Sequence, residues 1–198
     1  VRRLGQWVFR HDPLFLIGQH KARAILVCNR ESLAGVSRRW EHKVHLFPVS
    51  GVSSADFSHQ TSGRHRDDTF RVISAGSLIR VKGFGLAIKA FKLFVGQHPN
   101  AELCIVGSGP EEPWLRELAR KENLGSKLQL VPALPRTQLL SHIAESDVFL
   151  FPSLRDGGGT VTIEAMAVGK PVICLDTGGP GTNVTEECGF RVVPSDSD

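Results

Sequence analysis

From Phe70 to the C-terminus, short apolar runs and amphipathic runs take turns, and this alternation restricts the fold more than any other feature of the chain. "FRVISAG", "AELCIVGSG", "KLQLVPAL", "DVFLFPS", "KPVICLD" and "GFRVVPSD" are strand-like, short and rich in branched residues. Between them, "FGLAIKAFKLFVGQHP" has apolar residues at helical spacing and stops at Gly96 and Pro99. "EEPWLRELARKENLG" opens with acids and closes on a glycine, as dipole and capping rules ask of a helix. "RTQLLSHIAES" and "TVTIEAMAVG" complete the set of helices. Strands that alternate with helices must be joined by crossovers, so the strands run parallel. The pattern therefore predicts an α/β fold with a doubly wound parallel sheet, Rossmann-like in type, expected to be truncated at both ends, with the closing helix after the last strand missing.

Upstream the rhythm is less regular. "ARAILVCN" reads as a buried strand, "ESLAGVSRRW" as a short helix and "KVHLFPVSGV" as a further strand stopped by Pro48 and Gly51. "SSADFSHQTSGRHRDD" is polar and without periodicity, so residues 53–69 read as a linker ahead of a domain at 70–198.

A length of 198 residues is enough to bury a substantial core. No apolar run approaches the roughly 18 residues of a membrane-spanning helix, and the start lacks the pattern of a signal peptide. Cys28, Cys104, Cys174 and Cys188 are scattered without metal or disulfide spacing, and the histidines are dispersed, so the expectation is a reduced, cytoplasmic compartment and no metal. The net charge of +4 is concentrated early: Arg2, Arg3, Arg10, Lys21, Arg23, Arg30, Arg38, Arg39 and Lys43 face three acids in the first 45 residues. Such a stretch is either a solvated face or a contact for anionic lipid at the inner face of a membrane. Nucleic acid is not expected, because no aromatics are interleaved as stacking platforms.

In an open parallel sheet, ligands bind beyond the carboxyl ends of the strands. Those exits here read "AGSLIRVKGFG", "VGSGPEE", "FPSLRDGGG" and "LDTGGPG". Arg80 and Lys82 precede a helix start, where unpaired N–H groups and cationic side chains suit phosphate oxygens; solvated loop residues are the alternative. The run Gly157 to Gly159 lets backbone amides approach an anion closely, and Thr160 and Val161 open the next helix. Asp156 is either an acceptor for a sugar hydroxyl or a turn acid. Glu164 lies among Val161, Ile163, Ala165, Met166 and Val168, so its carboxylate reads as an acceptor for a ligand such as a ribose diol; a surface carboxylate or a structural ion pair is the alternative. "VGSGPEE" lacks the third glycine of a dinucleotide fingerprint, which argues against an oxidoreductase domain. "NVT" at Asn183 is a formal glycosylation site of low information.

Taken in order, "AGSLIRVKGFGLAIKAF", "AELCIVGSGPE", "LQLVPALPRTQLL", "SDVFLFPS" and "EAMAVGKPVI" resemble the C-terminal, donor-binding domain of GT-B fold glycosyltransferases, in the family-four (group 1) set of retaining enzymes. The resemblance runs from Arg71 to Pro194. "KVHLFPVSGVSSADF" is similar to the crossover from the acceptor domain, which implies that residues 1–52 are a remnant of that domain and that most of it is absent. The family's Glu-x7-Glu pair falls on Asp156 and Glu164, the first position being one methylene shorter. The family's phosphate lysine falls on Lys82, and its arginine position is Ser77.

The resemblance implies a catalytic set of Asp156, Lys82 and Glu164. It implies a donor site of Gly76, Ser77, Arg80, Lys82, Ala133, Leu134, Gly158, Gly159, Thr160, Val161 and Glu164, with Ala133 and Leu134 packing on the base and Glu164 on the ribose. The implied reaction moves a sugar, with retention and without a metal or other cofactor, from a nucleotide-diphosphate sugar to a glycan or lipid-linked acceptor held by the absent domain. "DGGG" and "CLDTGGPG" resemble a bacterial subgroup, implying a role in envelope or exopolysaccharide synthesis. This stretch alone is expected to bind nucleotide without transferring sugar; the alternative is a non-catalytic nucleotide-sugar binding subunit that works with a separate acceptor partner.

Overall fold

A computed structural model describes residues 12–47, 49–54 and 68–194. Most of the segment read as a linker, with His59 and His65, lies outside the described residues, as do Arg2, Arg3 and Arg10.

The main body is a six-stranded, wholly parallel sheet. Its strands are β3 (Phe70–Ala75), β4 (Ala101–Val106), β5 (Leu128–Val131), β6 (Val148–Phe151), β7 (Val172–Leu175) and β8 (Gly189–Val192), in the spatial order β5-β4-β3-β6-β7-β8. Successive strands build outward from β3 to one edge, then the chain returns to the other flank of β3 and builds outward again. That reversal puts a switch point between β3 and β6, the place beyond the strand ends where sheets of this kind bind their ligands; the loops leaving the two strands touch there, the Leu154 amide donating to Val81 O at 2.8 Å. The doubly wound sheet expected from the alternation is what forms.

Strand alternation divides the apolar side chains between two layers. Ile73 and Ala75 of β3 and Phe149 and Phe151 of β6 join Leu140, Ile143, Ala165 and Val184 on one face. Val72 and Val148 point the other way, to Phe84, Ile88, Phe91 and Leu115. Helix α2 (Phe84–Gln97) buries Phe84, Ala87, Ile88 and Phe91, the stripe that a period of about 3.6 dictates. Helix α3 (Glu112–Lys121) has Pro113 in its first turn, Arg120 and Lys121 in its last, and an exposed Glu112–Arg116 pair one turn apart. Helices α4 (Arg136–Ala144) and α5 (Thr160–Ala167) contribute to the opposite layer.

A sixth helix, α6 (Gly178–Asn183), lies in "TGGPGTN", which carries no helical signal because its glycines and proline disfavour helix. Close packing of its backbone, described below, overrides propensity.

The N-terminal part holds α1 (Pro13–Lys21) and a parallel pair, β1 (Ile25–Val27) with β2 (Val44–Leu46). Asp12 caps α1 by accepting from the Leu14 amide at 2.9 Å, and Lys43 closes its other end by donating to the carbonyls of His20 and Ala22. The α1 helix was not foreseen. The stretch expected as one short helix is instead two 3-10 segments, Arg30–Gly35 and Arg38–Lys43, with Val36 and Ser37 extended or turning between them. The Asn29 side chain accepts from the Ser32 amide and hydroxyl, which favours the tight turn over an α-helical one.

Candidate functional site at the switch point

The loop after β3 and the loop after β6 meet through an ion pair. Lys82, in a short 3-10 turn (Arg80–Lys82) ahead of α2, donates from Nζ to Asp156 Oδ2 at 2.5 Å. The other oxygen, Oδ1, accepts from the amides of Gly158 at 3.1 Å and Gly159 at 2.7 Å. The pair is mostly shielded, with side-chain exposures of 21% for Lys82 and 14% for Asp156. Partial burial pushes the Asp156 carboxyl up, but the Lys82 ammonium and the two amides together outweigh it and hold the group below the usual carboxylate range. A lysine and two backbone N–H groups at the start of a helix are the donor set that a phosphate oxygen requires. Here these donors converge on a carboxylate of the chain itself.

The glycine run has a second, structural role. A Cβ on Gly179 would lie 2.4 Å from the Gly158 carbonyl carbon, and one on Gly178 would lie 2.2 Å from the Asp156 carbonyl oxygen. The loop after β6 and the start of α6 are thus packed backbone to backbone, locked by the Gly179 amide donating to Asp156 O at 2.9 Å. Asn183, the formal glycosylation position, donates its side-chain amide to Gly158 O at 2.7 Å. From the N-terminal part, buried Asn29 donates to Gly157 O at 2.8 Å, and the Ser50 hydroxyl lies 2.8 Å from that of Thr160. Among the described residues, what approaches these glycines closely is the chain's own Asn29, Ser50, Asn183 and the start of α6. Thr160 and Val161 head α5, where the first amides have no acceptor within the helix.

Glu164, one turn further along α5, is 8% exposed. Its Oε1 accepts from Arg136 Nε at 2.7 Å, so among the arrangements open from the sequence an ion pair is formed. Arg136, the first residue of α4, was not singled out; its signal was available in "PRTQLL", a cation opening a helix that must pack against the carboxylate's own helix. The second oxygen of Glu164 has no hydrogen bond to any described residue, which leaves it acceptor capacity.

Gly76, Ser77, Ala133 and Leu134 come together, as expected, around a cleft of about 150 Å³ at the carboxyl ends of β3, β4 and β5. Gly107, Ser108 and Leu139 complete it, and Ser108 Oγ accepts from the Ala133 amide at 3.1 Å, fixing the loop after β5. Arg80 is not gathered with these residues. It lines a different cavity, between the first turn of α2 and the start of α3. Lys82, in the same short turn, instead pairs with Asp156.

Among the described residues no cluster of His, Cys, Asp and Glu could hold a metal ion, and no helix is long and apolar enough to cross a membrane.

Residues 57–198 match the family model described as "Glycosyl transferases group 1". A GDP-mannose-dependent monoacylated alpha-(1-6)-phosphatidylinositol monomannoside mannosyltransferase of Corynebacterium glutamicum is 35% identical over 209 aligned positions, covering 100% of this chain and 52% of that protein. The amylovoran biosynthesis glycosyltransferase AmsK of Erwinia amylovora is 29% identical, covering 78% of this chain and 41% of its own length. Among solved structures, S. aureus TarM with bound UDP superposes with a TM-score of 0.74 at 15% identity, over 92% of this chain and 36% of that one, which speaks to the fold alone. The chain spans about half the length, or less, of the curated relatives it matches. With the parallel sheet, the switch-point crevice and the family match in agreement, this chain belongs to the group 1 glycosyltransferases and carries the Rossmann-like half of a GT-B fold.

Proposed function

We propose that this chain holds the nucleotide-diphosphate sugar for a retaining glycosyl transfer, and that the crevice between β3 and β6 is where the diphosphate lies. The observation that carries the reading is the donor set of Lys82 Nζ with the Gly158 and Gly159 amides, converging on a single anion at the switch point. In the free chain that anion is the Asp156 carboxylate; in the loaded one it is a phosphate, with the amides of Thr160 and Val161 adding further donors. The base lies in the cleft of Gly76, Ser77, Ala133 and Leu134, and the ribose diol reaches the free oxygen of Glu164. Released from Lys82, Asp156 accepts from a hydroxyl of the sugar.

In the transfer, the bond between the anomeric carbon and the diphosphate oxygen breaks as an acceptor hydroxyl oxygen attacks the same face. The acceptor's proton leaves with the departing phosphate. Lys82 and the α5 amides meet the charge that grows on the diphosphate, and no metal is invoked. Loss of one such preorganised donor costs about 2.7–4 kcal/mol in comparable sites. The names of the relatives support a bacterial envelope or extracellular polysaccharide as the product, with the acceptor held by a further domain. The exposed cations Lys21, Arg23, Arg38 and Arg39 support a peripheral position on the cytoplasmic membrane face.

Calorimetric titration of UDP, GDP, ADP and NAD into the chain tests the reading. The expected result is one nucleoside diphosphate bound in preference to the rest. Preference for NAD over every nucleoside diphosphate would overturn it.

A further inference from the structure

The largest of the cavities described lies outside the donor crevice. It is about 330 Å³, within the usual range of small-molecule sites of about 300–1,000 Å³. It opens between the first turn of α2 and the start of α3, and Arg80, Lys89, Glu111 and Trp114 line it over a floor that includes buried Leu115. We propose that this cavity is a binding site for a phosphorylated sugar, separate from the crevice that takes the donor.

Two observations point to that chemistry. The first is the wall. Trp114 is half exposed, and its indole lies so close over the α2 backbone that a Cβ on Gly85 would be 2.5 Å from Cη2. Gly85 therefore allows the ring to lie against the first turn of the helix, where it is held as a flat apolar surface rather than a mobile one. A pyranose offers a matching apolar face of C–H groups, and its hydroxyls need polar partners at the rim.

The second is the charge. Arg80 and Lys89 are both exposed, and neither forms an ion pair with a described residue. Glu111 likewise makes no side-chain hydrogen bond among the described residues. Two cations and one acid leave a net positive charge over the mouth, next to the positive end of α2. A neutral sugar would leave both cations unmatched; a bare phosphate would leave the indole uncovered. A phosphorylated sugar uses the cations for its phosphate, Glu111 for a hydroxyl and Trp114 for the ring.

The inference does not rest on the donor reading: Leu154 of the loop after β6 and the loop after β3 border both sites, but none of Lys82, Asp156, Gly158 and Gly159 lines this cavity. The test uses the full chain and follows the indole N–H resonance of Trp114 by NMR, assigned from its loss in Trp114→Phe. Mannose 6-phosphate, mannose and inorganic phosphate are the probes. Saturable movement of the Trp114 resonance by mannose 6-phosphate, with the Trp40 resonance unmoved, is expected. Arg80→Gln with Lys89→Gln should weaken this binding by roughly tenfold or more, the loss of charge-assisted hydrogen bonds. No movement with mannose 6-phosphate overturns the proposal, as does binding by the double variant equal to wild type. Inorganic phosphate or mannose binding as tightly as the sugar phosphate also overturns it, since the site would then read only one half of the ligand.

Discussion

The two acids that stand eight positions apart, Asp156 and Glu164, are held in different ways. Asp156 has both oxygens engaged, one by Lys82 and one by two backbone amides. Glu164 is the more buried residue, yet only one of its oxygens is engaged, by Arg136. The difference follows from length and place. A short side chain at the loop folds back onto the helix start beside it, as aspartate does at capping positions. A longer one inside a helix cannot reach those amides and takes a partner from the neighbouring helix. Asp156 is therefore satisfied within its own loop and by Lys82, whereas Glu164 keeps an oxygen to spare.

Substitutions can break this contrast at several strengths. The largest effect is expected where the loop of Asp156 is locked to α6. Gly178 sits at φ 58, and an added Cβ would collide with the Asp156 carbonyl, so Gly178→Ala should cost about 3 kcal/mol. In thermal melts that corresponds to a fall of roughly 6–12 °C for a chain of this size. An unchanged melting temperature would show that the loop is not locked as described.

Next comes Lys82→Ala, which removes the cation from the anion position. Nucleoside diphosphate affinity should fall by about ten- to a hundredfold, measured by calorimetry. Glu164→Gln keeps the shape but weakens the acceptor for the ribose diol, and a loss of about tenfold is expected. The 2′-deoxy nucleotide sharpens this test, because it should bind wild type and Glu164→Gln almost alike.

Asp156→Asn should act in the other direction. Without the carboxylate charge, Lys82 and the amides are released, and nucleoside diphosphate affinity should rise by about three- to tenfold. The advantage of the nucleotide sugar over the nucleotide should shrink at the same time if Asp156 accepts from the sugar.

The smallest effect is in pH. The Asp156 carboxyl titrates lower in the folded chain than in the unfolded one, so its contribution to stability is complete above the ordinary carboxylate range. It is lost as the pH falls through the lower folded value. The melting-temperature gap between wild type and Asp156→Asn should accordingly be widest near neutrality and close in strong acid.

The sheet was legible because strand and helix signals alternate cleanly and each strand's apolar residues must serve two faces. Switch-point reasoning then placed Lys82, Asp156, Gly158 and Gly159 in one neighbourhood, where the structure brings them together. What escaped was tertiary. "TGGPGTN" forms α6 because its glycines allow contact with the loop after β6, a requirement that acts between segments distant in sequence. Arg136 and Glu164 are 28 positions apart and pair only because α4 and α5 pack side by side. Arg80 and Lys82 look equivalent in "LIRVKGF", yet Arg80 lines the cavity between α2 and α3 whereas Lys82 pairs with Asp156. The Asn29 and Ser50 contacts to the glycine loop depend on how the N-terminal part sits against it, which local pattern does not encode.

The central claim is that Asp156 occupies, in the free chain, the place that a donor phosphate takes. Parallel isotherms of UDP and GDP with wild type, Lys82→Ala and Asp156→Asn test it most directly. Opposite signs are expected for the nucleotide that binds: weaker binding without Lys82, tighter binding without the Asp156 charge. Equal losses in both variants would contradict it, because Asp156 would then be supporting the phosphate site rather than filling it.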